Sequence, residues 1–253
     1  MKTYKKYFKE EKKRLEKLEK LHERKEHLKE LLQANPNQES YVVELCGLPR
    51  TGKTVSTERV FSFFKYGNID AKIADEPAFL VKNSLSNEEL KNLSKVDFND
   101  KTLEVSRSNL EELKKSKPTI ILMDRGIIDN YFWYQMMYQD GILSKEEYIE
   151  KMKGLKSDLE QIDQLYMLTA DPKVVISRDY LNEIYLDDRT KTTMEGVKKL
   201  KQGYESLIPE IKEIKGKKSV HEIDTTKIDV IKTPIIIAND IMKGLEKKLT
   251  PNK

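Results

Sequence analysis

Cysteine is nearly absent from this 253-residue chain. Cys46 stands alone, which excludes an internal disulfide and any multi-cysteine metal site. Histidine is almost as scarce: His22, His27 and His221 are poor material for a zinc enzyme. Long apolar runs are missing too. Stretches such as 120–123 and 235–238 fall far short of the roughly 20 residues that a membrane-spanning helix needs. The N-terminus, MKTYKKYFKEEKKRLEK, has no apolar region of the kind a secretory signal carries. A cytoplasmic protein is the expectation. A strong net charge is also lacking. The formal total is +4, and residues 1–32 hold 12 Lys/Arg against 7 Glu, or +5, which leaves −1 for the rest. A basic nucleic-acid-binding body is therefore not supported, and any basic partner surface is the N-terminal segment.

What is present divides in two. Residues 1–32 contain no glycine or proline and are rich in Lys, Glu and Leu, so they read as one long helix. Tyr4, Phe8, Leu15, Leu18, Leu21, Leu28 and Leu32 form a thin apolar stripe on it. Such a helix packs on the body or pairs with a second copy as a homodimer; the alternative is an arm that binds nucleic acid or anionic lipid. A polar, proline-containing break at 34–40 follows. The division drawn here is a charged helical extension, 1–34, and a second domain, 35–253. In the latter, β-branched runs at 41–45, 71–74, 119–123, 165–169 and 220–223 alternate with helical stretches, which predicts an α/β domain with a mostly parallel sheet. Ser86 with Glu89 and Ser144 with Glu147 fit capping boxes. Asp171 before Pro172 fits an N-cap followed by proline at the first helical position.

The first predicted strand runs into Gly47-Leu48-Pro49-Arg50-Thr51-Gly52-Lys53-Thr54, a complete G-x-x-x-x-G-K-T. Gly47 and Gly52 let the backbone wrap an anion, and the amides from Gly47 through Arg50 and Thr51 to Thr54 turn inward at the start of the next helix. Lys53 addresses the β- and γ-phosphates of a nucleotide, and the Thr54 hydroxyl ligates Mg²⁺. The strand at 119–123 ends in Asp124, the second acid that a magnesium–nucleotide site needs. Arg125 and Gly126 follow it. In a doubly wound sheet the carboxyl ends of the strands converge, so Asp124 and Lys53 are expected to meet.

Together these residues resemble the thymidylate kinase and deoxynucleoside kinase superfamily of P-loop proteins over about residues 41–247. The features are the P-loop, Asp75-Glu76-Pro77, Asp124-Arg125-Gly126 with Asp129, and the arginine-bearing stretch with Arg178 and Arg189, which is similar to a helical LID. The P-loop is less rich in glycine and serine than that of thymidylate kinases, and the two LID arginines stand eleven apart.

The resemblance implies a P-loop NTPase fold, a doubly wound parallel sheet flanked by helices, with ATP and Mg²⁺ as cofactors. It also implies roles for the catalytic residues. Lys53 and Thr54 hold the nucleotide, and Thr54 and Asp124 face the metal. Glu76 is the general base, with Asp75 as its substitute. Arg125 grips the acceptor or the transferring group, or else forms an ion pair with Asp129 or Glu76. Arg178 and Arg189 neutralise developing charge, or else are surface arginines. Tyr131, Phe132, Trp133 and Tyr134 fill core or stack on a base, with Trp133 or Phe79 the better placed for stacking. The loop after 221–226 passes the adenine ring in the resembled family. The expected activity is γ-phosphoryl transfer from ATP to a small acceptor, first a nucleoside or nucleotide. The rivals are a kinase of a non-nucleoside acceptor, such as a toxin-like sugar-nucleotide kinase, and a regulatory ATP-binding protein that uses its basic helix for a partner. No Asn-Lys-x-Asp guanine motif is present.

Overall fold

Strand-forming and helix-forming runs alternate along the chain, and the computed structural model folds them into a sheet wrapped by helices. It describes residues 2–183, 193–228 and 231–250. In chain order the elements are α1 (Lys2–Ala34), β1 (Tyr41–Gly47), α2 (Lys53–Tyr66), β2 (Ala71–Ala74), α3 (Pro77–Ser84), α4 (Asn87–Asn92), α5 (Lys95–Lys115), β3 (Ile120–Asp124), α6 (Ile127–Gln139), α7 (Lys145–Met152), α8 (Leu155–Glu160), β4 (Gln164–Thr169), α9 (Pro172–Glu183), α10 (Met194–Lys215), β5 (Val220–Asp224) and α11 (Lys232–Leu249). The five strands lie in the order β2-β3-β1-β4-β5, and every neighbouring pair is parallel.

Period-2 alternation builds a core on each face of the sheet. Val42 and Cys46 of β1 point one way, with Ile121, Met123, Leu165 and Met167, into a cluster closed by α5, α6, α8 and α10. Tyr41, Val43 and Leu45 point the other way, with Ile120, Leu122, Tyr166 and Leu168, into a cluster closed by α1, α2 and α11. A central parallel strand buried on both faces reads as an almost continuous apolar run. In β1 that run is broken once, by Glu44.

Helix boundaries follow local chemistry. Ser86 with Glu89 and Ser144 with Glu147 form complete capping boxes, and the Asp171 carboxylate accepts the Lys173 amide at 2.8 Å. The second half of α1 packs on the body: Leu21 and Leu28 are buried, each worth roughly 1.5–3 kcal/mol. Arg24 donates to Asn239 at 2.7 Å and lies 3.2 Å from Glu246, both on α11, while the Lys25 ammonium sits over the Phe63 ring of α2. Earlier on the helix, Leu15 is 53% exposed.

Candidate active site

The register of the sheet brings the site together. Leu45 of β1 pairs with Asp124 of β3, so the P-loop leaves the sheet beside the acid at the end of the next strand. Gly47 has φ 119°, and a side chain there would strike the Leu168 carbonyl at 2.2 Å; the position admits glycine alone. Gly52 takes a left-handed conformation, φ 85°, to start α2.

Lys53 is buried and donates to the carbonyls of Gly47 at 3.1 Å and Leu48 at 2.6 Å. Thr51 closes the loop further through a 2.8 Å bond from its hydroxyl to Leu48 O. Burial, and then the positive charge of Arg125, push the Lys53 ammonium down to about 7. The Thr54 hydroxyl donates to Asp124 Oδ2 at 2.5 Å. These are oxygen donors, few in number, and among the described residues no cluster of three metal-ligating side chains exists. That set fits Mg²⁺, which takes one or two protein oxygens and completes its shell with water and phosphate.

Arg125 is the hub on the other side of Asp124. Its backbone is left-handed, φ 57°, which is uncommon for a residue other than glycine. Nη1 donates to both carboxylate oxygens of Asp129, at 2.9 and 3.2 Å, and Nε lies 3.7 Å from Glu76. Tyr204 of α10 donates its hydroxyl to Asp129 at 2.6 Å and accepts from Arg125 at 3.3 Å. Burial opposes the charged guanidinium, but Asp129 and Tyr204 outweigh it and hold Arg125 above the ordinary arginine range. Glu76, N-cap of α3, is half exposed.

Arg178 joins the apex of the P-loop to the end of β5. It donates to the Arg50 carbonyl at 3.1 Å and to Thr225, at 3.1 Å to the hydroxyl and 2.7 Å to the carbonyl. The next residue, Asp179, accepts from Arg50 Nε at 2.6 Å. Arg189 lies outside the described residues, as does the whole stretch 186–192. Of the aromatic cluster, Tyr131, Phe132 and Tyr134 are buried in the core, whereas Trp133 is 38% and Phe79 60% exposed. Cys46 is fully buried, and burial raises its thiol well above the usual range.

No protein-family model matches the chain, and neither does any curated protein. Among solved structures it is similar to deoxyadenosine kinase from M. mycoides with bound dATP, with a TM-score of 0.53 over 79% of this chain and 98% of that one, at 14% identity. The fold is nucleoside-kinase-like. At that identity the likeness speaks for the architecture, and the chemistry has to come from the residues.

Within this nucleoside-kinase-like fold, three contributors carry little signal in the sequence. Tyr204 is 75 residues from its partner Asp129. Asp179 is 129 residues from Arg50. Glu44 alone could have been flagged, as a carboxylate inside an otherwise apolar strand.

Proposed function

We propose that this protein is an ATP- and Mg²⁺-dependent kinase that phosphorylates a hydroxyl group of a nucleoside. The observation that carries the reading is the pairing of Arg125 with Glu76, one residue from an Asp124 that is bonded to the P-loop threonine. That pairing supports a reading in which donor phosphates and acceptor lie side by side.

In this reading Gly47, Arg50, Thr51, Gly52, Lys53 and Thr54 wrap the triphosphate. Thr54 and Asp124 would hold the metal, which supplies charge neutralisation to the β- and γ-phosphates when bound. Glu76 takes the proton of the acceptor hydroxyl as its oxygen bonds to the γ-phosphorus and ADP departs. Arg125 offers its guanidinium to the transferring group, and Arg178, through the Arg50 carbonyl, steadies the loop that holds the donor; Arg189 belongs to the LID-like stretch. Trp133 and Phe79 are exposed aromatic surfaces suited to a base. Charge balance favours a hydroxyl over a phosphate acceptor. Arg125 is already matched by Asp129 and Glu76, so among the described residues this guanidinium has no surplus positive charge for a phosphomonoester. The structural neighbour, a deoxyadenosine kinase, points the same way.

The test is a panel of ribo- and deoxynucleosides and their monophosphates incubated with labelled ATP. Label should pass to at least one nucleoside. Lys53→Ala should abolish this in a folded protein, and Glu76→Gln should slow it by roughly 10²–10⁴-fold while leaving ATP affinity unchanged. Transfer to monophosphates alone would overturn the hydroxyl assignment, and transfer to nothing in the panel would overturn the nucleoside one.

A further inference from the structure

Glu44 sits at the centre of β1, on the face it shares with Val42 and Cys46, and is completely buried. An apolar side chain would fill that place in the core at less cost. The carboxylate instead reaches across to the start of α6 and takes three amides: Oε1 accepts from Gly126 at 3.1 Å and Asp129 at 2.9 Å, and Oε2 from Ile128 at 3.0 Å. Burial pushes this carboxyl up to about 7 even though the three amides favour its charged form.

Two consequences follow from that geometry. The amides that open α6 are already taken by a protein carboxylate, so they are not a phosphate cradle, and anion binding is left to the P-loop. Arg125 is also gripped on both sides by consecutive residues of one strand. Its own amide donates to the Leu45 carbonyl at 2.9 Å, and the next amide, Gly126, donates to Glu44. A left-handed arginine persists only where its surroundings fix it, and these are the bonds that fix it.

We infer that Glu44 is the positioning residue for Arg125: by holding the Gly126, Ile128 and Asp129 amides it sets the backbone from which the guanidinium addresses the transferring phosphoryl group. This rests on the phosphotransferase reading above. Glu44 touches neither ATP nor acceptor, so its removal acts on the rate of transfer and spares the binding of the donor.

The experiment compares full-length Glu44→Gln with wild type and with Asp158→Asn, a buried carboxylate that pairs with Arg107 elsewhere. Three quantities are read: amide hydrogen exchange at residues 126, 128 and 129, Mg²⁺–ATP affinity by calorimetry, and kcat for the nucleoside that the panel selects. The glutamine nitrogen cannot accept, so at least one of the three amides loses its partner. Exchange at these amides should accelerate, kcat should fall about 10- to 100-fold, and ATP affinity should stay within about threefold. Asp158→Asn should leave all three unchanged in the folded protein. A folded Glu44→Gln with wild-type kcat, or with unchanged exchange, overturns the inference. Should Glu44→Gln fail to fold, Gly126→Ala takes its place, because the added carbon would stand 2.8 Å from Glu44 Oε2 and 2.7 Å from Met123 Cε. It keeps the carboxylate and displaces it. A lower kcat at unchanged ATP affinity supports the assignment, and an unchanged kcat overturns it. If wild type phosphorylates no nucleoside, the nucleoside kinase reading fails. The amide exchange, with the Arg125 Nε–H resonance, then still decides whether Glu44 holds Arg125.

Discussion

The same three side chains meet twice in this molecule. Arg107, Asp158 and Tyr131 join α5, α8 and α6: the arginine donates to the aspartate at 2.6 Å, the tyrosine hydroxyl donates to it at 2.5 Å, and the arginine reaches the tyrosine at 3.1 Å. Arg125, Asp129 and Tyr204 repeat the pattern at 2.9, 2.6 and 3.3 Å. Both aspartates are buried. An arginine–aspartate–tyrosine cluster is therefore no mark of a site in itself. The second differs in having a left-handed arginine, a further half-exposed carboxylate in Glu76, and Asp124 with its bond to Thr54 as the preceding residue. The first holds helices together; the second, in our reading, spends the same contacts on aiming a guanidinium.

Breaking the two arginines gives the largest contrast. Arg125→Ala should lower kcat by roughly 10²–10³-fold, measured with the preferred acceptor at saturating ATP. Arg107→Ala should leave kcat unchanged and lower stability by about 1–3 kcal/mol in urea titration, because Asp158 loses its charged partner. Equal kinetic losses in the two variants would erase the distinction. The tyrosines sharpen it on a smaller scale. Tyr204→Phe and Tyr131→Phe should each remove about 0.5–1.5 kcal/mol of stability, but only the former should slow transfer. The last contrast concerns pH. Glu44 titrates near 7 in the folded chain against an ordinary 4.5, so across that window the folded state retains a proton that the unfolded state has lost. The stability from this group therefore falls as pH rises from about 4.5 to 7 and levels off above it. Urea titrations at pH 5 and 8 should show this drop in wild type, and it should be absent from Glu44→Gln.

Much of the architecture is written locally. The P-loop, the strand starting at Tyr41 and the caps at Ser86, Ser144 and Asp171 depend on neighbours within a few residues, and strand limits read from composition differ from the observed ones by only one or two positions. The stripe on the first helix is legible too, although sequence does not say that Leu21 and Leu28 would be its buried members. What cannot be read is contact across the sheet. Nothing near Tyr204 announces Asp129. Arg178 reads as a charge-neutralising or a surface arginine, and nothing near it announces that its guanidinium lies against the Arg50 carbonyl and Thr225, partners 128 and 47 residues away. Glu44 is the intermediate case: its misfit with the strand is visible, but its partners are set by the β1–β3 register.

Lys53 rests on the carbonyls of Gly47 and Leu48, so the ammonium already has partners within its own loop. In the reading proposed above, an arriving nucleotide must supplant those oxygens, and the gain on binding is the difference between two sets of ionic hydrogen bonds. A weakly charged or singly anchored anion has little to offer in that exchange. A polyphosphate, which would meet the lysine and the loop amides at once, has much more, so in that reading the folded-back lysine is a filter on what the loop will accept.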